Sequence, residues 1–175
     1  MEMTVQKEMV GRQEFMATEE QPFHFVDSGL DNIYLVGIRY FKNSDGSLVA
    51  EIPAIKQLLR LIARDIVMSP RDLTGKEIRF LRKRLGKKAS EYCTFLGIGA
   101  EMLSRVENES TKVSIQVQKL AKLSYCAFSE DSKLVECAKS ILQSILEDMS
   151  VKQNKPKIVL QVDAHQEWHE LPLAA

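Results

Sequence analysis

Apolar and polar positions change period several times along the chain, and each change predicts an element. Phe23-His-Phe-Val26, Ile33 to Phe41 and Ser47 to Ile52 are short, rich in aromatic and β-branched residues, and separated by Asp-Ser-Gly and Asn-Ser-Asp-Gly turn signals. They predict a small antiparallel sheet with Asn43 to Ser47 as a hairpin loop. Pro53 then opens a helix whose Ile55, Leu58, Leu59, Ile62 and Ile66 recur on one face, opposite Lys56, Arg60 and Arg64. Ser69-Pro-Arg-Asp72 interrupts the pattern, and Thr74-Gly-Lys-Glu77 predicts a capping box at the start of a second helix.

Helical periodicity continues to Met149. Its last segment, from Ser129, sets Leu134, Ala138, Ile141, Leu142, Ile145 and Met149 on one stripe. Lys152 to Lys157, with Pro156, reads as a linker, Ile158 to Val162 as a final strand, and the tail as pinned by Trp168. Residues 1–22 lack sustained periodicity and read as a flexible arm.

Composition narrows the function classes. With 175 residues, 45% hydrophobic and 27% charged, the chain is expected to fold. Its short apolar runs and polar N-terminus predict neither a membrane span nor export, so a cytoplasmic protein is expected. Cys93, Cys126 and Cys137 are odd in number and lack a C-x-x-C spacing, which argues against a disulfide framework or a cysteine zinc site and favours small core residues. The histidines are His24, His165 and His169; the last two are four apart, without a third ligand or a convincing helix, so no metal site and no cofactor are expected. No glycine-rich phosphate loop or catalytic cluster is visible, and an enzyme is not predicted.

Net charge is zero but unevenly spread. Residues 1–70 hold 7 basic and 10 acidic groups, 71–128 hold 12 and 6, and 129–175 hold 5 and 8. Arg79, Arg82, Lys83, Arg84, Lys87 and Lys88 crowd into ten residues without an acid, the charge pattern of a polyanion-binding surface or of a solvated helix face.

Just after this run, residues 89–108 meet the demands of two short helices crossing steeply. Cys93 supplies a small side chain at the close approach and Gly97 a left-handed exit, while Tyr92, Leu96, Ile98, Leu103 and Val106 form a shared core. Ile78, Leu81 and Leu85 face inwards from the preceding helix. Leu81-Arg-Lys-Arg-Leu-Gly86, Phe95-Leu-Gly-Ile98 and Leu103-Ser-Arg-Val-Glu-Asn108 resemble the lambda-repressor-like helix-turn-helix family (Xre type) over about 50 residues. The resemblance implies that helix 99–108 enters the major groove. By position, Ala100, Glu101, Met102 and Arg105 would face base edges, with Arg105 suited to guanine. Lys87, Lys88, Ser104, Asn108, Ser110, Thr111 and Lys112 would touch phosphates. The alternative for Arg105 is an ordinary surface arginine. Departures weaken readout: the family commonly has Gln where Ala89 stands, and Ser or Thr at the places of Lys88 and Gly99.

Phe23-His-Phe, Leu30-Asp-Asn-Ile-Tyr-Leu35 and Leu73-Thr-Gly-Lys-Glu-Ile-Arg-Phe-Leu-Arg-Lys83 look like regulators related to MqsA-type antitoxins, without their N-terminal zinc-binding cysteines. The resemblances together imply a homodimeric, autoregulatory bacterial repressor on a palindromic double-stranded operator, bound at the nucleoid. The stripe from Leu134 to Met149 is either its dimer interface or packing within the monomer. The alternative is an antitoxin that binds a toxin, or another protein partner, through residues 23–66. The expected fold class is α+β: arm 1–22, a small antiparallel sheet with one helix over 23–69, an all-α lambda-repressor-like domain over 70–128, a C-terminal helix over 129–150, and a strand and tail over 151–175.

Overall fold

The computed structural model describes residues 13–129, 134–147, 158–163 and 165–170. They form six α-helices and two sheets. The strands are β1 (Gln13–Met16), β2 (Phe23–His24), β3 (Ile33–Val36), β4 (Arg39–Lys42), β5 (Leu48–Glu51), β6 (Ile158–Val162) and β7 (Trp168–Glu170). The helices are α1 (Ile55–Met68), α2 (Gly75–Arg84), α3 (Ala89–Leu96), α4 (Ala100–Glu107), α5 (Ile115–Phe128) and α6 (Leu134–Glu147).

The class is α+β, but the architecture expected from the sequence is overturned. An all-α helix-turn-helix domain does not follow a self-contained small sheet; strands from both ends of the chain build the sheets around the helices. One sheet is mixed, in the order β2-β3-β6-β7, with β3 and β6 parallel from Ile33↔Ile158 to Val36↔Gln161. The other is antiparallel, β1-β4-β5. The physical reason lies in β3: Ile33, Leu35 and Val36 are buried, and a strand that must satisfy both of its hydrogen-bonding sides takes a neighbour on each. β2 provides one neighbour and β6 the other, so the whole helical run becomes the crossover that a parallel pair requires.

Three local expectations change with it. Ile33 to Phe41 is two strands in two sheets, broken at Gly37, whose φ of 75° and 2.9 Å approach of a notional Cβ to the Val162 carbonyl admit no larger residue without strain. Gln13–Met16 is no loose arm but an edge strand paired with β4, and Ala17 behind it is buried. α1 begins at Ile55, after Ala54 in the left-handed region, rather than at Pro53. The Asn43–Ser47 hairpin forms as expected: the Asn43 amide N–H donates to the Ser47 carbonyl at 2.9 Å, and Asp45 accepts from Ser47. The Trp168 indole is buried and donates to the Pro53 carbonyl at 2.9 Å. The linker Lys152 to Lys157 and Met149 lie outside the described residues.

Between α1 and α2, an unusual amount of charge is buried. Arg71 grips Glu77 with two hydrogen bonds, at 2.5 and 2.8 Å, both side chains being almost wholly inaccessible. Glu77 also accepts from the Thr74 N–H while Thr74 accepts from the Glu77 N–H, which is the capping box foreseen. From α5, Lys122 donates to the carbonyls of Ser69 and Arg71; burial, and next the Arg71 charge, push its pKa down. The Gln118 amide accepts from Leu73 N–H and donates to the Val113 carbonyl. α5 thereby clasps the connection between α1 and α2. Glu77→Gln or Arg71→Met is expected to destabilise the protein by about 3–5 kcal/mol, because the surviving charge stays buried. The Arg71→Met/Glu77→Gln double variant should lose less than the two singles combined. Urea unfolding of the three variants checks this, and additive losses would contradict it.

Candidate nucleic-acid interface

α3 and α4 are eight residues each, joined by Gly97-Ile98-Gly99. Gly97 closes α3 in the left-handed conformation, φ 66°, and the Ile98 N–H returns to the Cys93 carbonyl. Tyr92, Cys93, Leu96, Leu103 and Val106 are buried between the pair and its neighbours, and Ile98 is half-buried. The Tyr92 hydroxyl meets Ser124 Oγ at 3.2 Å, and since Ser124 donates to the Ala121 carbonyl, the phenol is the donor. Neither helix has a side-chain cap at its N-terminus: Lys88 has no acceptor to offer, although Glu91 reaches back to its N–H at 3.0 Å, and Gly99 has no side chain. The first amide donors of α4 therefore have no side-chain acceptor at the N-cap.

With Leu103 and Val106 turned inward, α4 presents Ala100, Glu101, Met102, Ser104 and Arg105 as one exposed face. These are the positions singled out from the sequence, and the fold brings them together. Lys87 and Lys88 are exposed immediately before α3; the Lys87 ammonium sits over the Phe128 ring, 5.6 Å from its centroid. Asn108 ends α4, and Ser110, Thr111 and Lys112 line a groove of about 790 Å³ with Thr74, Gly75 and Ser114, beside the readers rather than among them. Thr74, Gly75 and Thr111 are half-buried, while Asn108, Ser110, Lys112 and Ser114 are exposed.

The basic run divides by role. Arg82 holds the Glu107 carboxylate at 2.6 and 2.7 Å and donates to the Lys87 carbonyl at 3.1 Å, while Arg79 approaches Glu107 at 3.9 Å. Arg82 is thus a strut from α2 to the end of α4, its pKa raised first by the hydrogen bond to Glu107. Arg84 is half-buried, and Lys83 and Lys88 project into solvent. A second close approach fixes α2 on α4: a Cβ on Gly75 would stand 1.8 Å from the Val106 carbonyl oxygen.

Comparison of the chain with family models, curated proteins and solved structures finds no match. The site is therefore read from its own residues.

Sequence reasoning missed the aromatic surface beside α3. Phe95 and Phe128 meet edge to face, both exposed, and with Leu85, Lys87, Tyr92 and Ser124 they line a pocket of about 380 Å³. Phe95 stood in the quoted motif, but only the end of α5 puts Phe128 against it. His169 Nε2 lies 2.9 Å from Asp163 Oδ2, and the ligand atoms of Asp163, Glu167 and His169, all solvent-accessible, lie within 4.8 Å of one another. Asp163 accepts from the His165 and Glu167 amides, so its carboxylate closes the β6–β7 hairpin. No described helix is long and apolar enough to cross a membrane.

Burial pushes the Tyr92 phenol up to about 12. An unfolded tyrosine loses its proton near 10, so this contribution to stability is intact below about pH 10 and is lost as pH rises towards 12. Tyr92→Phe should remove a component ionising near pH 12 from an alkaline tyrosinate absorbance titration, and an unchanged titration would contradict the assignment. Gly75→Ala should push α4 away from α2, lowering the thermal midpoint and weakening whatever α4 binds.

Proposed function

We propose that the chain is a DNA-binding transcriptional regulator that presents α4 to the major groove of a duplex operator. The observation that carries this reading is the exposed face of Ala100, Glu101, Met102, Ser104 and Arg105 on a short helix after a left-handed turn, flanked by exposed Lys87 and Lys88. Arg105 offers a bidentate fork to a guanine edge, and Met102 an apolar contact to a thymine methyl. Lys87, Lys88, Ser104 and Asn108 supply phosphate contacts, joined by the uncapped amides of α4. With few polar readers, sequence preference draws on DNA shape as well as base edges. Ser110, Thr111 and Lys112 serve a neighbouring stretch of backbone.

Two copies on a palindromic site supply the affinity that one short helix lacks. The stripe on α6 is divided: Leu134 and Ile141 are buried within the chain, whereas Leu142 is about half exposed and shares its face with Val135, which lies outside the stripe. The dimer contact is assigned to that outer face. Such a regulator, a repressor of its own promoter in a bacterial cytoplasm, acts at the nucleoid.

A protein partner is a second reading, supported by Met16 and Val49, apolar and exposed on the outer face of β1-β4-β5 beside the ion pairs of Arg39 with Glu14 and Glu51. A toxin bound there is the form it takes.

Binding is tested by selecting duplexes from a random pool with the full chain and measuring affinity against salt. Arg105→Ala should weaken the selected site by about 1–3 kcal/mol and relax one base position, while Lys87→Ala should weaken all duplexes alike and lower the salt slope by about one. Affinity untouched by both substitutions would sink the assignment of α4. Retention of a protein by the wild type, lost on Met16→Asp and Val49→Asp, would favour the second reading.

A further inference from the structure

The hairpin of β6 and β7 has two unlike faces. Its register pairs Val162 with Trp168 and Gln161 with His169, and the Asp163 N–H donates to the Glu167 carbonyl at 2.9 Å, so Asp163 stands opposite Glu167. Side chains alternate between the faces along each strand. Trp168 turns inward, where it is buried, and Gln161, Asp163, Glu167 and His169 therefore gather on the outward face. There, His169 Nε2 lies 2.9 Å from Asp163 Oδ2, and one ligand atom from each of Asp163, Glu167 and His169 falls within 4.8 Å of the others.

The three side chains are held unequally. Asp163 Oδ1 accepts from the His165 and Glu167 amides at 2.8 and 3.0 Å, which fixes that carboxylate and leaves Oδ2 for the cluster. Glu167 and His169 flank Trp168 in the chain, and the Trp168 indole is tied to the Pro53 carbonyl at 2.9 Å, so the backbone that carries them is anchored. The Glu167 carboxylate makes no hydrogen bond or ion pair among the described residues, although a second carboxylate stands within 4.8 Å. Arg39, which lines the adjoining hollow with Asp163, is engaged elsewhere, by Glu51 at 2.9 Å and Glu14 at 3.8 Å. Two carboxylates and a neutral imidazole supply two negative charges and a nitrogen donor. A divalent cation is their complement.

We propose that Asp163, Glu167 and His169 bind a divalent transition-metal ion of the zinc type, which closes the β6–β7 hairpin from outside. Two ligand atoms at about 2.1 Å from one ion stand about 3.0–3.4 Å apart in octahedral or tetrahedral geometry, and cannot exceed about 4.2 Å. The Asp163–His169 pair is already at that spacing, and a small side-chain adjustment brings in Glu167. On binding, the proton that links Nε2 to Asp163 is relocated to Nδ1 through solvent, and the Nε2 lone pair takes the metal. The two amides on Oδ1 then keep Asp163 oriented towards the ion. A nitrogen ligand favours zinc, nickel or cobalt over magnesium and calcium, which take oxygen. Water fills the remaining coordination positions.

The full chain is titrated with zinc by calorimetry in a non-chelating buffer at neutral pH, and with cobalt(II) followed by visible absorbance, which separates nitrogen and oxygen ligands from thiolates. One ion per chain is expected, without a thiolate charge-transfer band, and magnesium at equal concentration should not displace it. His169→Ala and Glu167→Gln should each weaken zinc binding at least about tenfold, while His165→Ala and His24→Ala bind as the parent does. The near-ultraviolet dichroism of Trp168, the single tryptophan, reports whether each variant keeps the hairpin. Glu167→Gln retains the side-chain shape and the amide that the turn uses, so it remains the test should His169→Ala not fold. Parent-like affinity in both variants, a thiolate band, loss of binding on His165→Ala, or displacement by magnesium would each overturn the proposal.

Discussion

The guanidinium of Arg71 and the carboxylate of Glu77 meet in the interior, and the two halves of the chain are joined through that meeting. Neither charge is tolerable there alone. Each oxygen of Glu77 takes one bond from Arg71, and one of them also caps α2 at Thr74, so the ion pair sets where α2 starts and how it leaves α1. Lys122 and Gln118 tie the same stretch to α5, which in turn packs on α1, α2, α3 and α6. A polar interior of this kind adds little net stability against an apolar one, but it admits few alternative arrangements, since any slip leaves a charge unpaired.

From that anchor the exposed helix is positioned by two further constraints. Gly75 lets the first turn of α2 touch the last turn of α4 at Val106, and Arg82, from the last turn of α2, holds Glu107 in that same turn of α4. Much of the positive charge that looks available along the sequence is therefore structural. What remains exposed for a ligand is smaller: Lys83, Lys87, Lys88 and Arg105, with the acids Glu91 and Glu101 also exposed on α3 and α4. The trade is a rigidly held α4 in return for a weaker electrostatic footprint.

Local rules determined much of this protein from its sequence alone. The 3.6-residue periodicity of α1, the Thr74–Glu77 capping box, the Asn43–Ser47 hairpin, the left-handed Gly97 and the outward face of α4 all follow from backbone sterics and nearest-neighbour hydrogen bonding, which act over a few residues. The segment from Ile33 was legible as a strand, but as one of a small antiparallel sheet. Only the tertiary structure decided what covers it. Pairing β3 with β6 joins residues 125 positions apart, and no local period encodes a partner at that distance. The burial of Arg71 and the capture of Arg82 by Glu107 were hidden for the same reason: a side chain's availability depends on what long-range packing places beside it, and its position in the sequence does not state that.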